Sequence, residues 1–429
     1  MRLSARLTSA IATLIAGLLL LGAWILLSPS GPALVAASIS PSAITPNADG
    51  QTDVTRITYT LRRPATVSIY FLDGQGNRFD FRKDKPRDAG DRAIAFSGIV
   101  DPYRLPGDNF QGELLARVLQ DGAYTWVIEA REAQGSSNSI RGALTISDAD
   151  TTLPDLRRLT VSPKVFTPNQ DGLSDRANIN VWLDKDVALD GLHVFLVSPD
   201  GSALPISEKP TDIQEGQRGL HAYDYDGGID LGQEPPPDGE YTVRAEVMDR
   251  LGQKMAATSS LTISLSGLPR ADILNGEVKY SATTLVIGRT LYFTLTVENY
   301  GTAPIRTSGP PSGWVYTSTL TNANTLGWYD ESGAWRVGID CDTCTRDYPW
   351  RWALGTPDTL TPLTDEDGQV HYYLRPGQRA VVTGGVGLDV IITRRNPQTF
   401  WAGLIHEDVE ISPVNNRVDP QSITIVPKQ

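Results

Sequence analysis

Cysteine and histidine are nearly missing from this chain: Cys341 and Cys344, and His193, His221, His371 and His406, are all that 429 residues contain. So few cysteines exclude a disulfide framework running through the molecule. Hydrolytic and metal chemistry lean on histidine, and the sequence holds no G-x-S-x-G, no Walker A and no G-x-G-x-x-G in a strand-to-helix context. His406-Glu407-Asp408 sits in a strand-like stretch, so it does not put two ligands on one helical turn. These absences argue against an enzyme. Positive charge is short too: a net charge of −12 argues against nucleic acid as a partner.

What is present suits folded β structure. Hydrophobic residues make up 40% and charged residues 21%, ordinary for soluble domains. The 39 glycines and 29 prolines fit many short strands joined by turns. The long hydrophobic run is Ala10 to Leu27, behind Arg2 and Arg6. As a helix it would extend roughly 27 Å, near the thickness of a bilayer core. It reads either as an uncleaved anchor with its arginines in the cytoplasm, or as a signal peptide cut near Val35-Ala36-Ala37. Both readings export the rest of the chain. It then sits on the outer face of the cytoplasmic membrane, or is secreted to the cell surface if the segment is cleaved.

The stretch Thr45-Pro46-Asn47-Ala48-Asp49-Gly50-Gln51-Thr52-Asp53 recurs roughly 120 residues later as Thr167-Pro168-Asn169-Gln170-Asp171-Gly172-Leu173-Ser174-Asp175, an internal repeat of T-P-N-x-D-G-x-x-D. Each copy leads into strand-period alternation: Ile57, Tyr59 and Leu61 after the first, Ile179, Val181 and Leu183 after the second. Each unit then carries an Asp-Gly turn (Asp73-Gly74, Asp200-Gly201), a D-G-x-Y run (Asp121 to Tyr124, Asp238 to Tyr241) and a closing Leu-Thr-Ile-Ser. The expected organisation is a signal or anchor over 1–37, immunoglobulin-like β-sandwiches over 38–150 and 151–267, and a third β-sandwich with an aromatic insertion over 268–429. The fold class is therefore all-β: tandem sandwiches behind an N-terminal transmembrane or signal helix.

These motifs carry a resemblance. The Pro-Asn-x-Asp-Gly entry, the Asp-Gly turn and Asp-Gly-x-Tyr resemble the immunoglobulin-like domain of the flagellar hook-capping protein and the gliding-motility C-terminal type. Tyr223-Asp224-Tyr225-Asp226-Gly227-Gly228 is similar to that family's W-D-G stretch, with tyrosine in place of tryptophan; Phe96-Ser97-Gly98 takes that place in the first unit. The resemblance spans about 40–265 and implies a sandwich fold used as a spacer or docking surface. In the third segment, Val297-Glu298-Asn299-Tyr300-Gly301-Thr302-Ala303-Pro304 resembles CARDB-like adhesion-related sandwiches.

Three groups of residues are candidate sites. Asn47, Asp49 and Asp53, and again Asn169, Asp171 and Asp175, alternate so that oxygens converge on a calcium ion; the competing reading is an Asx-type turn that starts a strand. No cofactor is required, and Ca2+ is the one considered. Cys341 and Cys344 form a small disulfide in an oxidising exterior, or stay free, or supply two of a metal's ligands. Trp328, Trp335, Trp350 and Trp352 either fill the third core or form a ligand face for sugars or a protein. The expected function is non-catalytic: a cell-envelope spacer or adhesion-type rod presenting its C-terminal domain to a protein or polysaccharide. The alternative is a carbohydrate-binding or accessory module of an extracellular hydrolytic system.

Overall fold

Alternation of buried and exposed side chains runs along many of the strands, such as Thr55–Leu61, Ala177–Leu183 and Arg289–Asn299, and the strands build three hydrophobic cores in series. A computed structural model describes residues 31–429 except 157, 211, 318, 325–330 and 366. The Ala10–Leu27 run and Trp328 lie outside the described residues. Among the described residues the chain is all-β with a few short 3-10 turns, and no helix is long and apolar enough to cross a membrane.

Unit one contains β1 (Leu34–Ser40), β2 (Ala43–Ile44), β3 (Thr55–Leu61), β4 (Ala65–Leu72), β5 (Arg78–Arg87), β6 (Gly90–Phe96), β7 (Ile99–Val100), β8 (Glu113–Val118), β9 (Gly122–Arg131) and β10 (Ser137–Ile146). A three-stranded sheet, β1-β3-β6, faces a five-stranded one, β2-β10-β9-β4-β5. Ile57, Tyr59, Ile69, Phe71, Trp126 and Ile128 meet between them. β1 starts ahead of the expected boundary after residue 37. Ala33 and Leu34 are buried in this core, and a bulge between Leu34 and Ala36 hides the alternation.

Unit two repeats the plan with β11 (Thr160–Ser162), β12 (Val165–Phe166), β13 (Ala177–Leu183), β14 (Leu192–Val197), β15 (Ala203–Ile206), β16 (Gly219–Tyr225), β17 (Gly239–Met248) and β18 (Lys254–Ile263). Its β11-β13-β16 sheet matches β1-β3-β6. The other sheet holds a difference: β7 and β8 of unit one join it, in the order β15-β14-β17-β18-β8-β7. Ala116, Leu114 and Glu113 pair with Lys254, Met255 and Ala256, and Phe110 and Leu114 pack on the second core. The first junction is thus crossed by strand pairing. Unit one extends an arm that continues its neighbour's sheet.

Unit three has three sheets. One runs Ala271–Ile273, Arg289–Asn299, Arg379–Leu388, Val315–Tyr316; another includes Trp335–Cys341, Trp350–Ala353, Gln398–His406 and Val418–Val426; a small third sheet joins Ile305–Thr307 to Val370–Leu374 and Thr361–Thr364. Trp335, Trp350 and Trp352 are buried in the core, which corrects the ligand-face reading for all three. Trp350 and Trp352 do share one strand face, but that face is the inner one. Trp352 lies edge-on to Phe293 and Tyr316, with centroids 4.7 and 5.0 Å away, and its Nε1 donates to the Trp314 carbonyl at 2.9 Å. Wide rings fill the span between sheets that this large unit creates. Cys341 and Cys344 are joined as a disulfide across one turn at a strand end.

Candidate functional site

The repeated nine-residue loop is where the chain places most of its local polar chemistry, so its two copies are built up in turn. In the first, Asp53 Oδ1 accepts from the backbone N–H of Asn47 and of Ala48, at 3.0 and 2.9 Å, and Oδ2 accepts from Gly50 N–H at 2.8 Å. Asn47 Oδ1 accepts from Asp49 N–H, and Asp49 Oδ1 from Gln51 N–H. Thr45 Oγ1 donates to the Gln51 carbonyl at 2.9 Å. These are nested Asx turns: each side-chain oxygen turns back on an amide and satisfies a donor that no strand pairs. The loop ends by delivering Thr55 into β3.

The second copy also closes on itself, with a partly different set of amides on its last aspartate. Asp175 accepts from Asp171 and Gly172 N–H at 3.1 and 2.7 Å, Asn169 Oδ1 from Asp171 N–H, and Asp171 Oδ1 from Leu173 N–H. In both copies the proline packs against a left-handed glycine just past the third strand of the small sheet, Pro46 against Gly98 after β6 and Pro168 against Gly227 after β16. The D-G-x-Y tyrosine also acts alike: Tyr124 Oη donates to the Gln120 carbonyl and Tyr241 Oη to the Pro237 carbonyl, each at 2.9 Å.

The six candidate calcium ligands therefore spend their carboxylate and amide oxygens chiefly on the loops' own N–H groups. Among the described residues no cluster of three or more acidic, histidine or cysteine side chains is arranged to hold a metal. In this arrangement the side-chain oxygens close the turn on itself.

The copies part company in what covers them. Asp49 is exposed, whereas Asn169 and Asp171 are buried under unit three. Tyr373 donates its hydroxyl to Asp171 Oδ2 at 2.7 Å. Arg306 Nε donates to the Asp171 carbonyl at 2.6 Å, while its other nitrogens reach Glu331 and the Ser332 carbonyl. His406 Nε2 bonds the Gln170 carbonyl at 2.7 Å, with its ring stacked on Trp335. Gly172 and Gly333 press backbone on backbone: a β-carbon at Gly172 would overlap the Ser332 carbonyl, and one at Gly333 would overlap Asp171.

Burial tunes this junction. It pushes the Asp171 carboxyl up, and pushes Asp175 up to about 7 with the neighbouring Asp171 charge as a second cause. It holds His406 down to about 4, so the ring is neutral and accepts no positive charge beside Arg306. Behind the clamp, buried Glu407 takes Arg336 Nη1 at 3.1 Å and Arg351 Nη1 at 2.6 Å. The Glu407 carbonyl also accepts from Gly333 N–H at 2.8 Å, tying the contact loop to the third core. The other junction is sealed as well. Lys185 Nζ reaches Asp150, Asp249 and the Thr152 carbonyl, and Gln253 Nε2 bonds the Asp150 and Thr152 carbonyls.

Arg306, Tyr373 and Arg336 were not singled out by sequence reasoning, and Glu407 entered it only within the His406-Glu407-Asp408 triplet. Arg336 alternates with Trp335, Val337 and Ile339 as an outward-facing residue of a half-buried strand would, so its burial left no local signal.

No family model and no curated protein matches the sequence. Among solved structures, a tetra-tandem repeat from the extending region of a large adhesion protein is 15% identical, with 91% of this chain and 74% of that one covered at a TM-score of 0.19. A Ca2+-stabilised adhesin with which an Antarctic bacterium binds ice is 14% identical, with 93% and 75% covered at 0.25. SGBP-B of the Bacteroides ovatus mixed-linkage glucan utilization locus is 12% identical, with 94% and 70% covered at 0.15. At these scores the likenesses carry no functional argument.

Proposed function

We propose that this chain is a non-catalytic spacer of the cell envelope, exported behind its N-terminal apolar segment and holding its third unit in a fixed attitude for contact with an extracellular protein or polymer. The observation that carries this reading is that both junctions are welded. One is crossed by the β8–β18 strand pairing, the other by Arg306, Tyr373 and His406 on the second loop. Independent modules that merely follow one another need neither device. Retention of the apolar segment fits the first core: cleavage after Ala37 would remove Ala33 and Leu34, both fully buried. The histidines fit a structural role, since His221 is fixed between Glu208 and the Gln217 carbonyl and His406 between units.

The test is a distance distribution between spin labels at exposed Ser202 of unit two and exposed Val381 of unit three, in the full chain. A narrow distribution that broadens in Arg306→Ala is expected. A wild-type distribution as broad as a flexible linker allows would sink the spacer reading.

A further inference from the structure

The strand registers of unit one place a defined set of charges at each end of the sandwich. Leu34 pairs with Leu61, Leu61 with Gly90, Ala65 with Arg87, and both Thr66 and Ser137 with Arg131. Asn138 bonds both backbone groups of Leu34, which brings the two sheets together at this end. The chain enters here: Arg62 N–H donates to the Ala33 carbonyl, and the Arg62 guanidinium lies against Gly31.

This entry end is cationic. It carries Arg62, Arg63, Lys85, Arg87, Arg92 and Arg131, against Asp84, Asp88, Asp91 and Glu132. Arg63 is paired with Glu132 and Arg131 with Asp84. Arg87 and Arg92 donate only to backbone carbonyls, and among the described residues neither they nor Lys85 forms an ion pair. The opposite end reverses the sign. Its loops 41–54, 73–77, 119–123 and 147–150 hold Asp49, Asp53, Asp73, Asp121, Asp148 and Asp150 and no lysine or arginine, while Arg78 at the start of β5 is paired with Asp80 and the 97–112 connection adds Asp101 and Asp108 against Arg104. In a chain with an overall charge of −12, the sandwich next to the apolar segment is thus polarised along its strands, positive toward that segment.

We infer that the entry end of unit one seats on an anionic lipid surface, its arginines and lysine meeting headgroup phosphates while the acidic end is repelled outward. This rests on the reading of the apolar segment as a retained anchor. The chain from Leu27 to Gly31 extends at most about 14 Å, less than two Debye lengths of about 8 Å, so the cationic end is held within the field of the bilayer. Guanidinium forks suit phosphate oxygens. Each cation near an anionic leaflet strengthens contact roughly fivefold. The polarity supplies direction: one bilayer attracts one end of the unit and repels the other, which stands the welded units away from the membrane.

The experiment uses the full chain with phosphatidylcholine vesicles and with vesicles containing about a third phosphatidylglycerol, read by flotation and by hydrogen exchange of peptides covering 62–65, 85–92 and 131–137. The expected result is flotation with both, slower exchange of these peptides with phosphatidylglycerol alone, and loss of that slowing at high salt and in Lys85→Gln/Arg87→Gln/Arg92→Gln. The variant's unchanged melting temperature shows that it is folded. Flotation with both and identical exchange overturns the lipid seat and leaves the anchor standing. Flotation with phosphatidylglycerol vesicles alone keeps the seat and overturns the anchor. Flotation with neither overturns both.

Discussion

The loops Thr45–Asp53 and Thr167–Asp175 share sequence pattern, turn geometry and the strand they launch, yet one faces solvent and the other lies under a different domain. Their carboxylates do the same local work, so that work does not decide which copy becomes an interface. The difference lies in what the turn leaves pointing outward. A self-satisfied loop presents carbonyls and a left-handed glycine, and in the second copy unit three supplies Arg306, His406 and a Gly333 backbone to meet them. A loop that closes on itself can be exposed at low cost, or buried once its remaining acceptors find donors.

The strongest way to break the pairing is at its glycine. Gly50 and Gly172 have nearly equal φ, +84 and +83, so alanine carries the same left-handed penalty at both, about 1–2 kcal/mol. Space differs: nothing lies within 4 Å of a β-carbon at Gly50, while one at Gly172 overlaps the Ser332 carbonyl. Gly172→Ala should cost about 2–3 kcal/mol more than Gly50→Ala by denaturant unfolding, with unit three released first. Equal costs would mean that the second loop is not clamped. Arg306→Ala comes next, at about 2–4 kcal/mol. It strands the Asp171 and Ser332 carbonyls and has no counterpart at the first loop; a broadened calorimetric transition with unit three melting separately is the readout.

Much of this comparison was legible beforehand, and the illegible part has physical causes. Period-two runs such as Ile57, Tyr59, Leu61 announce strands because one face of each is buried in its own unit. The 97–119 arm was missed because β7 is two residues long and β8 buries its side chains against a neighbouring unit, so no local pattern describes it. The Asp and Asn spacing showed a turn but not its cover, since Arg306 and Tyr373 lie more than 130 residues further on. The tryptophans alternate as expected of a strand, and alternation alone does not say which face is inside. Exposed and buried copies of one motif look alike in sequence for the same reason.

A pH series sharpens the contrast, because the buried copy carries strongly shifted groups. His406 is held to about 4 against an ordinary 6.5, so the folded chain binds fewer protons there, and stability falls as pH drops through that window. Asp175 is raised to about 7 from 3.8, so the folded chain binds more protons, and stability falls as pH rises toward 7. The slopes oppose, Asp171 acting in the same direction as Asp175, so His406 offsets part of the carboxyl slope in the wild type between pH 5 and 6.5. His406→Gln uncovers the Asp175 slope and should be more stable at the lower pH by up to about 2 kcal/mol; Asp175→Asn should tilt the other way. Thermal melts at the two pH values read both. Parallel behaviour of the two variants would disprove the opposition.

The smallest effect concerns the exposed copy alone. Asp53→Ala removes the acceptor of three backbone N–H groups, yet water reaches this loop and can replace the carboxylate. The cost should be about 1 kcal/mol, seen as a lowered denaturation midpoint of unit one. If the loop is a self-closed turn, the loss is the same with calcium or with a chelator, because the oxygens already serve amides. A wild-type midpoint raised by calcium, with the rise abolished by Asp53→Ala, would instead make Asn47, Asp49 and Asp53 ligands. The two copies would then differ in chemistry as well as in cover.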